Sequence, residues 1–339
     1  MSPREGTGMN ANLFKLREVQ LALVLAALVA VIGARAPVFL SARSLDSLFT
    51  DTAILVMMAL AQMLVILTRG IDLSVAANLA LSGMSAALID KAFPGTPVPV
   101  ILLAATAIGT ALGAVNGVLI GLLRLPPIVV TLGTMSVFRG TIFVLSGGAW
   151  VSSHQMTPSF IDFPLDRLAG LTNLVWLAVA AVAAAWYLTR HTRFGRELYA
   201  IGNHPVSAAY VGIALPRRLF AVHAIAGGVA GLCGYLWVAR YAVAFTEIAN
   251  GFELSVIAAC VIGGISIGGG VGSAAGAVLG AFFLGVIGNA LPLVNISPFW
   301  QSAITGAVIV VAVVVNAREG RRAGKQILPS RESAQEVPT

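Results

Sequence analysis

Charge is what this sequence has least of. Of its 339 residues only 10% are Asp, Glu, Lys or Arg, against 58% of hydrophobic type, and the mean hydropathy is +0.91. A water-facing surface needs roughly 25% charged residues across the chain, so a soluble domain is excluded and most of the surface faces lipid. Cysteine is nearly absent. Cys233 and Cys260 both fall inside apolar runs, which excludes a disulfide framework and a cysteine metal site. The four histidines, His154, His191, His204 and His223, form no pair with the spacing of a helical metal site, and no metal ligand is assigned. A phosphate-binding loop of the form G-x-x-x-x-G-K-[ST] is missing as well; the nearest string, residues 320–326, has the wrong spacing and lacks the hydroxyl. No nucleophile, paired base or metal cluster points to chemistry on a substrate, so no catalytic residue and no cofactor are assigned. The net charge of +7 does not indicate nucleic acid. The basic residues lie in short runs beside long apolar segments, as in the cytoplasmic loops of membrane proteins.

What the sequence does have is apolar runs long enough to cross ~30 Å of hydrocarbon. About ten are found, at 19–38, 52–68, 73–89, 98–122, 127–146, 172–189, 217–238, 253–268, 273–292 and 298–316. Lys15 and Arg17 before the first run, with Ala34-Arg35-Ala36 after it, resemble a secretory signal, but a first spanning helix has the same polarity and is the expected reading. Three stretches are basic: residues 1–18, residues 190–218 with Arg190, Arg193, Arg196, Arg217 and Arg218 against Glu197, and the tail 317–339. All three are expected to be cytoplasmic. Six crossings return the chain inside at residue 190 and four more do so at 317, so parity agrees with charge. The organisation expected is a cytoplasmic segment 1–18, a first transmembrane part 19–189, a cytoplasmic loop 190–216, a second transmembrane part 217–316 and a cytoplasmic tail 317–339.

Two motifs recur. Gly70-Ile71-Asp72-Leu73-Ser74-Val75 returns as Gly251-Phe252-Glu253-Leu254-Ser255-Val256, an offset of 181. The nine residues 109–117 return as 272–280, an offset of 163, with six of nine identical. A five-span unit has odd parity, so its two copies enter the membrane from opposite sides. The fold class expected is therefore an all-α polytopic membrane protein with about ten transmembrane helices in two inverted five-span repeats, a plan in which broken helices meet near the midplane. Gly109, Gly113, Gly117 and Gly121 fall every fourth residue, as do Gly268, Gly272, Gly276 and Gly280. On one helix face such a stripe lets backbones approach closely.

Polar residues inside the spans are the candidates for function, because an ionisable group in hydrocarbon costs at least ~2.5 kcal/mol. Asp72 and Glu253 each sit at a glycine-marked break followed by Leu-Ser-Val. Two roles are open, capping the next helix and contact with cargo. The candidates for a substrate pathway are Gly70, Asp72, Ser74, Asn78, Arg139, Glu253, Ser255 and Asn289. Arg139 is read as an ion-pair partner or a cavity wall, Arg240 as a residue snorkelling to the interface, and the five tryptophans as an interfacial belt. In the basic loop, Pro205 opens a short helix whose Ala208, Ala209 and Gly212 are small enough for a close partner.

These segments resemble a known family. Gly-Ile-Asp-Leu-Ser-Val at 70–75, Phe-Gly-Arg-x-x-Tyr-Ala-Ile-Gly at 194–202, Ala-Ala-x-x-Gly-Ile ending at 213, and Gly-Phe-Glu-Leu with Ile-Ala-Ala-Cys-Val-Ile-Gly-Gly across 251–264 are similar to permease subunits of bacterial ABC importers for monosaccharides. The resemblance implies a bacterial inner-membrane permease, multi-pass, with both termini cytoplasmic. It implies a second permease chain, identical or similar, a cytoplasmic ABC ATPase that binds the ATP, and a periplasmic sugar-binding protein. It also implies that the loop holding Gly195, Arg196, Ala200, Gly202, Asn203, Pro205, Ala208, Ala209 and Gly212 couples to that ATPase. Residues 146–158 and 235–252 look more like permeases for deoxyhexoses such as rhamnose than those for ribose. The alternatives are a branched-chain amino acid permease, an ion-coupled secondary transporter of five-plus-five design, and a membrane scaffold.

Overall fold

The computed structural model describes residues 17–293 without a break and scattered residues from Ser297 to Val310. The expected segment 1–18, the tenth run 298–316 and the tail 317–339 lie wholly or largely outside the described residues. The long helices are α1 (Arg17–Arg35), α2 (Ala42–Leu67), α3 (Val75–Ala92), α4 (Val98–Gly117, prolonged by a π-helical turn Val118–Leu122), α5 (Pro127–Ser146) and α6 (Asn173–His191). Two short helices follow, α7 (Arg193–Asn203) and α8 (Pro205–Tyr210), and then α9 (Leu215–Tyr241), α10 (Phe252–Ile262) and α11 (Ala274–Leu293). Seven of the described helices, α1, α2, α4, α5, α6, α9 and α11, are long and apolar enough to cross a membrane. Among the described residues the strands are two-residue pairs only, Val151–Ser152 with Val243–Ala244 and Arg167–Leu168 with Leu171–Thr172.

Two expected spans depart from a simple crossing, and they are the two that follow the repeated acidic motif. Helix α3 carries Asn78, Ser82 and Asp90 on buried positions and is enclosed by protein along nearly its whole length. The run 253–268 is helical only to Ile262, eleven residues or about 16 Å, half the hydrocarbon thickness. Gly263-Gly264 stops it, Gly264 having φ +80°. The chain then continues as irregular backbone with Ile265, Gly269 and Gly270 buried, which is tolerated at membrane depth only inside protein. The expected stripe of four glycines therefore breaks. Gly268 and Gly272 lie in this loop, and only Gly276 and Gly280 stand on α11, where a Cβ would strike the backbone of Gly263 and Ala259 of α10. The first stripe holds, and its partner is α9: Cβ atoms at Gly109 and Gly113 would strike Gly227 and His223 carbonyl oxygens, and one at Gly231 the carbonyl of Ala105.

Helix α2 is buried without interruption from Thr52 to Leu67. It packs against α9, α10 and α11, while α9 packs against α2, α3 and α4. Residues expected on one side of the membrane lie at one end of the bundle: Arg167 with Asp46, Thr157 with Asp90 and Arg240 with Asp51. Those expected on the opposite side meet at the other end: Arg69 with Gly202, Tyr199 with Gly272 and Ser273 with Glu18. The ends are called outer and inner after that expectation.

Candidate functional site

The first break, residues 68–74, joins α2 to α3. Arg69 has φ +67°, uncommon for a residue with a side chain. Its guanidinium holds that turn by donating from Nε to Gly202 O at 2.7 Å and from Nη2 to Asn203 O at 2.9 Å. Beyond it, Asp72 is 3% exposed, and its Oδ1 accepts from the Ser74 backbone N–H at 2.8 Å and the Ser74 hydroxyl at 2.6 Å. Asn116 donates to the same Ser74 hydroxyl at 2.8 Å, and Asn78 donates to Gly109 O at 3.0 Å. Thr131 of α5 donates to Ile71 O at 3.2 Å. Asp72, Ser74 and Asn78 are thus brought together as a clamp binding the start of α3 to α4 and α5, whereas Gly70 donates its N–H back to Val65 O of α2. Hydrogen bonds of this kind contribute about 0.5–1.5 kcal/mol each, and together they hold an irregular segment in a dry place.

The second break, residues 242–251, crosses the outer end with positive φ at Ala242, Ala249 and Gly251. Arg139 of α5 reaches over and donates to Ile248 O at 2.7 Å and Thr246 O at 3.3 Å, so it braces this loop through backbone carbonyls. Glu253 stands in the first turn of α10, where the free N–H groups favour negative charge. Although it matches Asp72 in sequence, it lies inside its helix, whereas Asp72 precedes one.

Beside this break lies an open cavity of about 790 Å³ bounded by α2, α9, α10, α11 and the loop. Ser255 and Asn289 line it, while Gly70, Asp72, Ser74, Asn78, Arg139 and Glu253 do not. Its polar wall also holds Asp51, Thr52, Arg240, Glu247 and Asn250. Arg240 does not merely snorkel: its Nη2 donates to Asp51 Oδ1 at 2.7 Å, joining α9 to α2. The apolar wall joins Ile54, Leu55 and Leu284 to an aromatic cluster. Trp237 meets Phe252 edge to face at 4.9 Å between centroids and Tyr241 at 5.4 Å, so this tryptophan belongs to the cavity.

At the inner end, α7 packs against α2, α6 and α9. Gly195 packs on the Leu188 and Thr189 backbone of α6, and Gly202 on Leu67 O and Gly270, each too close for a side chain. Gly270 donates to Leu67 O at 3.0 Å and Tyr199 to Gly272 O at 2.8 Å. Glu197 accepts from Arg193 at 2.7 Å and from Arg218 of α9. Burial raises the Glu197 pKa, but the hydrogen bonds and charges of the two guanidiniums outweigh it and hold the carboxyl below the usual glutamate range. Helix α8 begins at Pro205, capped by the His204 ring accepting from Ser207 N–H at 3.1 Å. Arg196, Asn203, Ala209 and Gly212 are exposed, Ala200 and Pro205 are half-buried, and Ala208 is buried. The projecting surface is made by Val206, Tyr210 at 87% exposure and Val211 at 77%.

The family described as the permease component of the branched-chain amino acid transport system matches residues 44–313. The chain belongs to this permease family. It is 35% identical over 308 residues to the autoinducer 2 import system permease protein LsrC of Enterobacter sp. (strain 638), covering 91% of this chain and 88% of that protein. It is likewise 35% identical over 303 residues to the ribose import permease protein RbsC of Escherichia coli (strain K12), covering 89% and 94%. No solved structure matches the chain significantly.

This permease is accordingly a multi-pass membrane protein and a transport subunit. Its sequence motifs led to the clamp and to the inner elbow, but not to most of the cavity. Asp51, Thr52, Trp237 and Tyr241 stand near span ends, where polar and aromatic residues are ordinary. The one usable signal was the charge of Asp51 and Arg240 beside apolar runs, and nothing local pairs residues 189 positions apart.

Proposed function

We propose that this chain is the membrane-embedded permease subunit of an ATP-driven importer for a monosaccharide in the bacterial inner membrane. Carrying the reading is one observation: the elements that line the outer cavity also grip the inner elbow. Helix α2 contributes Asp51 and Thr52 to the cavity, and its inner end meets Gly270 and, through Arg69, the residues Gly202 and Asn203. The segment α10–loop–α11 contributes Ser255 and Asn289 above and Gly270 and Gly272 below. A push on the elbow is therefore delivered to the cavity walls.

A cytoplasmic ATPase docking on Val206, Tyr210 and Val211 would supply that push and bind the ATP. A periplasmic binding protein would deliver cargo to the outer end, and a second permease chain would complete the path. The ten-span, twice-repeated and inverted plan is part of this reading. It is supported by the reciprocal packing in which α2 contacts α10 and α11 while α9, next to the repeated motif in the other half, contacts α3 and α4. A monosaccharide is favoured over an amino acid because the charge of the arginine lining the cavity, Arg240, is already balanced by Asp51, leaving a carboxylate no unneutralised cation among the described lining residues. The names of the ribose and autoinducer 2 permeases point the same way; a deoxyhexose such as rhamnose is the finer proposal for cargo. Proteoliposomes holding the chain, its ATPase and binding protein should accumulate labelled sugar only with ATP. Accumulation driven by a proton or sodium gradient with no ATPase would overturn the reading.

A further inference from the structure

We infer that the outer cavity is itself a binding site, a transit subsite in the permease for a vicinal diol, with Thr52 and Arg240 as its recognising residues. The inference rests on the permease reading above and adds a contact between the permease wall and cargo.

Thr52 lines the cavity and is 2% exposed, and its buried Oγ1 has no hydrogen-bond partner. A threonine in a helix ordinarily satisfies itself by donating to the carbonyl four residues back. Thr106, Thr110, Thr131, Thr134, Thr141 and Thr189 of this chain all do so, at 2.8 to 3.1 Å. Thr52 does not. It is turned against Gly285 of α11, where any side chain would strike its hydroxyl. The second unpartnered atom on this wall is Arg240 Nε, whose guanidinium is fixed by Nη2 on Asp51. An unsatisfied buried polar group is costly, and here two of them stand on residues that line one cavity, from α2 and α9; both atoms are closed off in this state, so a ligand reaches them only as the walls of the cavity part.

Their chemistry is complementary to neighbouring hydroxyls on one ligand. Arg240 Nε offers a donor, the Asp51 carboxylate an acceptor and Thr52 either role. One ligand hydroxyl accepts from Arg240 and donates to Asp51 while the next exchanges a hydrogen bond with Thr52. Trp237 and Tyr241 supply an apolar surface for the C–H face of a small ring. An anion is disfavoured by Asp51 and Glu247, and an aliphatic ligand leaves both orphan atoms unpaired.

Saturation-transfer NMR on the intact chain in lipid nanodiscs, titrated with D-ribose, L-rhamnose and L-leucine, tests the site. Saturable signal is expected from at least one sugar and none from L-leucine. Thr52→Val should weaken sugar binding by about three- to tenfold, the range for one lost neutral hydrogen bond, while Thr52→Ser, which keeps the oxygen, should bind like the parent. A Val variant equal to the parent, or Ser and Val variants equally impaired, would overturn the role of the hydroxyl. Absence of saturable binding by either sugar while the assembled transporter still takes up sugar with ATP would overturn the subsite and leave the permease reading standing. Failure of ATP-driven uptake of every sugar would remove both.

Discussion

Glycine to alanine is expected to destabilise within the α4–α9 contact and not outside it. A methyl group at Gly113 falls on the carbonyl oxygen of His223 and 2.8 Å from Gly227 Cα, which are backbone atoms of a helix and cannot rotate away. Accommodating it requires α4 and α9 to separate along a seam that also contains Gly109, Gly227 and Gly231. Overpacking of this kind costs about 1–3 kcal/mol, against about 0.5–1 kcal/mol gained when alanine replaces glycine in a helix. The net expectation for Gly113→Ala is a loss on the order of 1–2 kcal/mol. On α5, a Cβ at Gly140 meets nothing within 4 Å, so Gly140→Ala keeps the propensity gain with no steric cost. The assay is the fraction of detergent-solubilised protein that remains monodisperse by size exclusion after stepwise heating. Gly113→Ala should lower the midpoint and Gly140→Ala raise or preserve it. Movement of both in the same direction would refute the assignment of Gly113 to a backbone-on-backbone seam.

Three further outcomes follow from the site. Tyr210→Ala with Val211→Asp should abolish ATP-driven uptake and co-purification of the ATPase while leaving yield and monodispersity unchanged; Ala208→Arg, by contrast, should lower the yield, because Ala208 is buried. Asp72→Asn retains an acceptor for the Ser74 N–H and should preserve both folding and uptake, whereas Asp72→Ala leaves that donor unsatisfied and should destabilise by about 1–3 kcal/mol; well-folded Asp72→Asn protein without uptake would instead place the carboxylate on the cargo. For Glu197 the folded pKa is depressed, so its contribution is present above the unfolded value of about 4.3 and is lost as pH falls through the lower folded value. Limited proteolysis of the inner loop should therefore show protection from neutral pH down to that range and then loss, with Glu197→Gln already unprotected at pH 7; identical acid profiles for the two proteins would refute it.

Long spans were legible in the sequence because the length of an apolar run measures the thickness of hydrocarbon directly, and seven of the runs appear as helices fit to cross it. The broken ones were less so. Hydropathy counts the apolar residues of 253–268 alike, whereas the helix ends where Gly263-Gly264 turns away to reach Leu67 and Tyr199, contacts that no local pattern encodes. The two glycine stripes have identical spacing, yet one is a helix seam and the other is half loop, because glycine permits both close approach and positive φ and only the tertiary partner decides between them. The same reasoning separates the clamp from the cavity. Asp72 was visible because its partner Ser74 is two residues away, and Thr52 was not, since what distinguishes it is a hydrogen bond it fails to make. A threonine packed against a glycine of another helix is a property of the assembled bundle. For that reason the residues lining the cavity are more apparent in the packed bundle than in any one segment of the sequence.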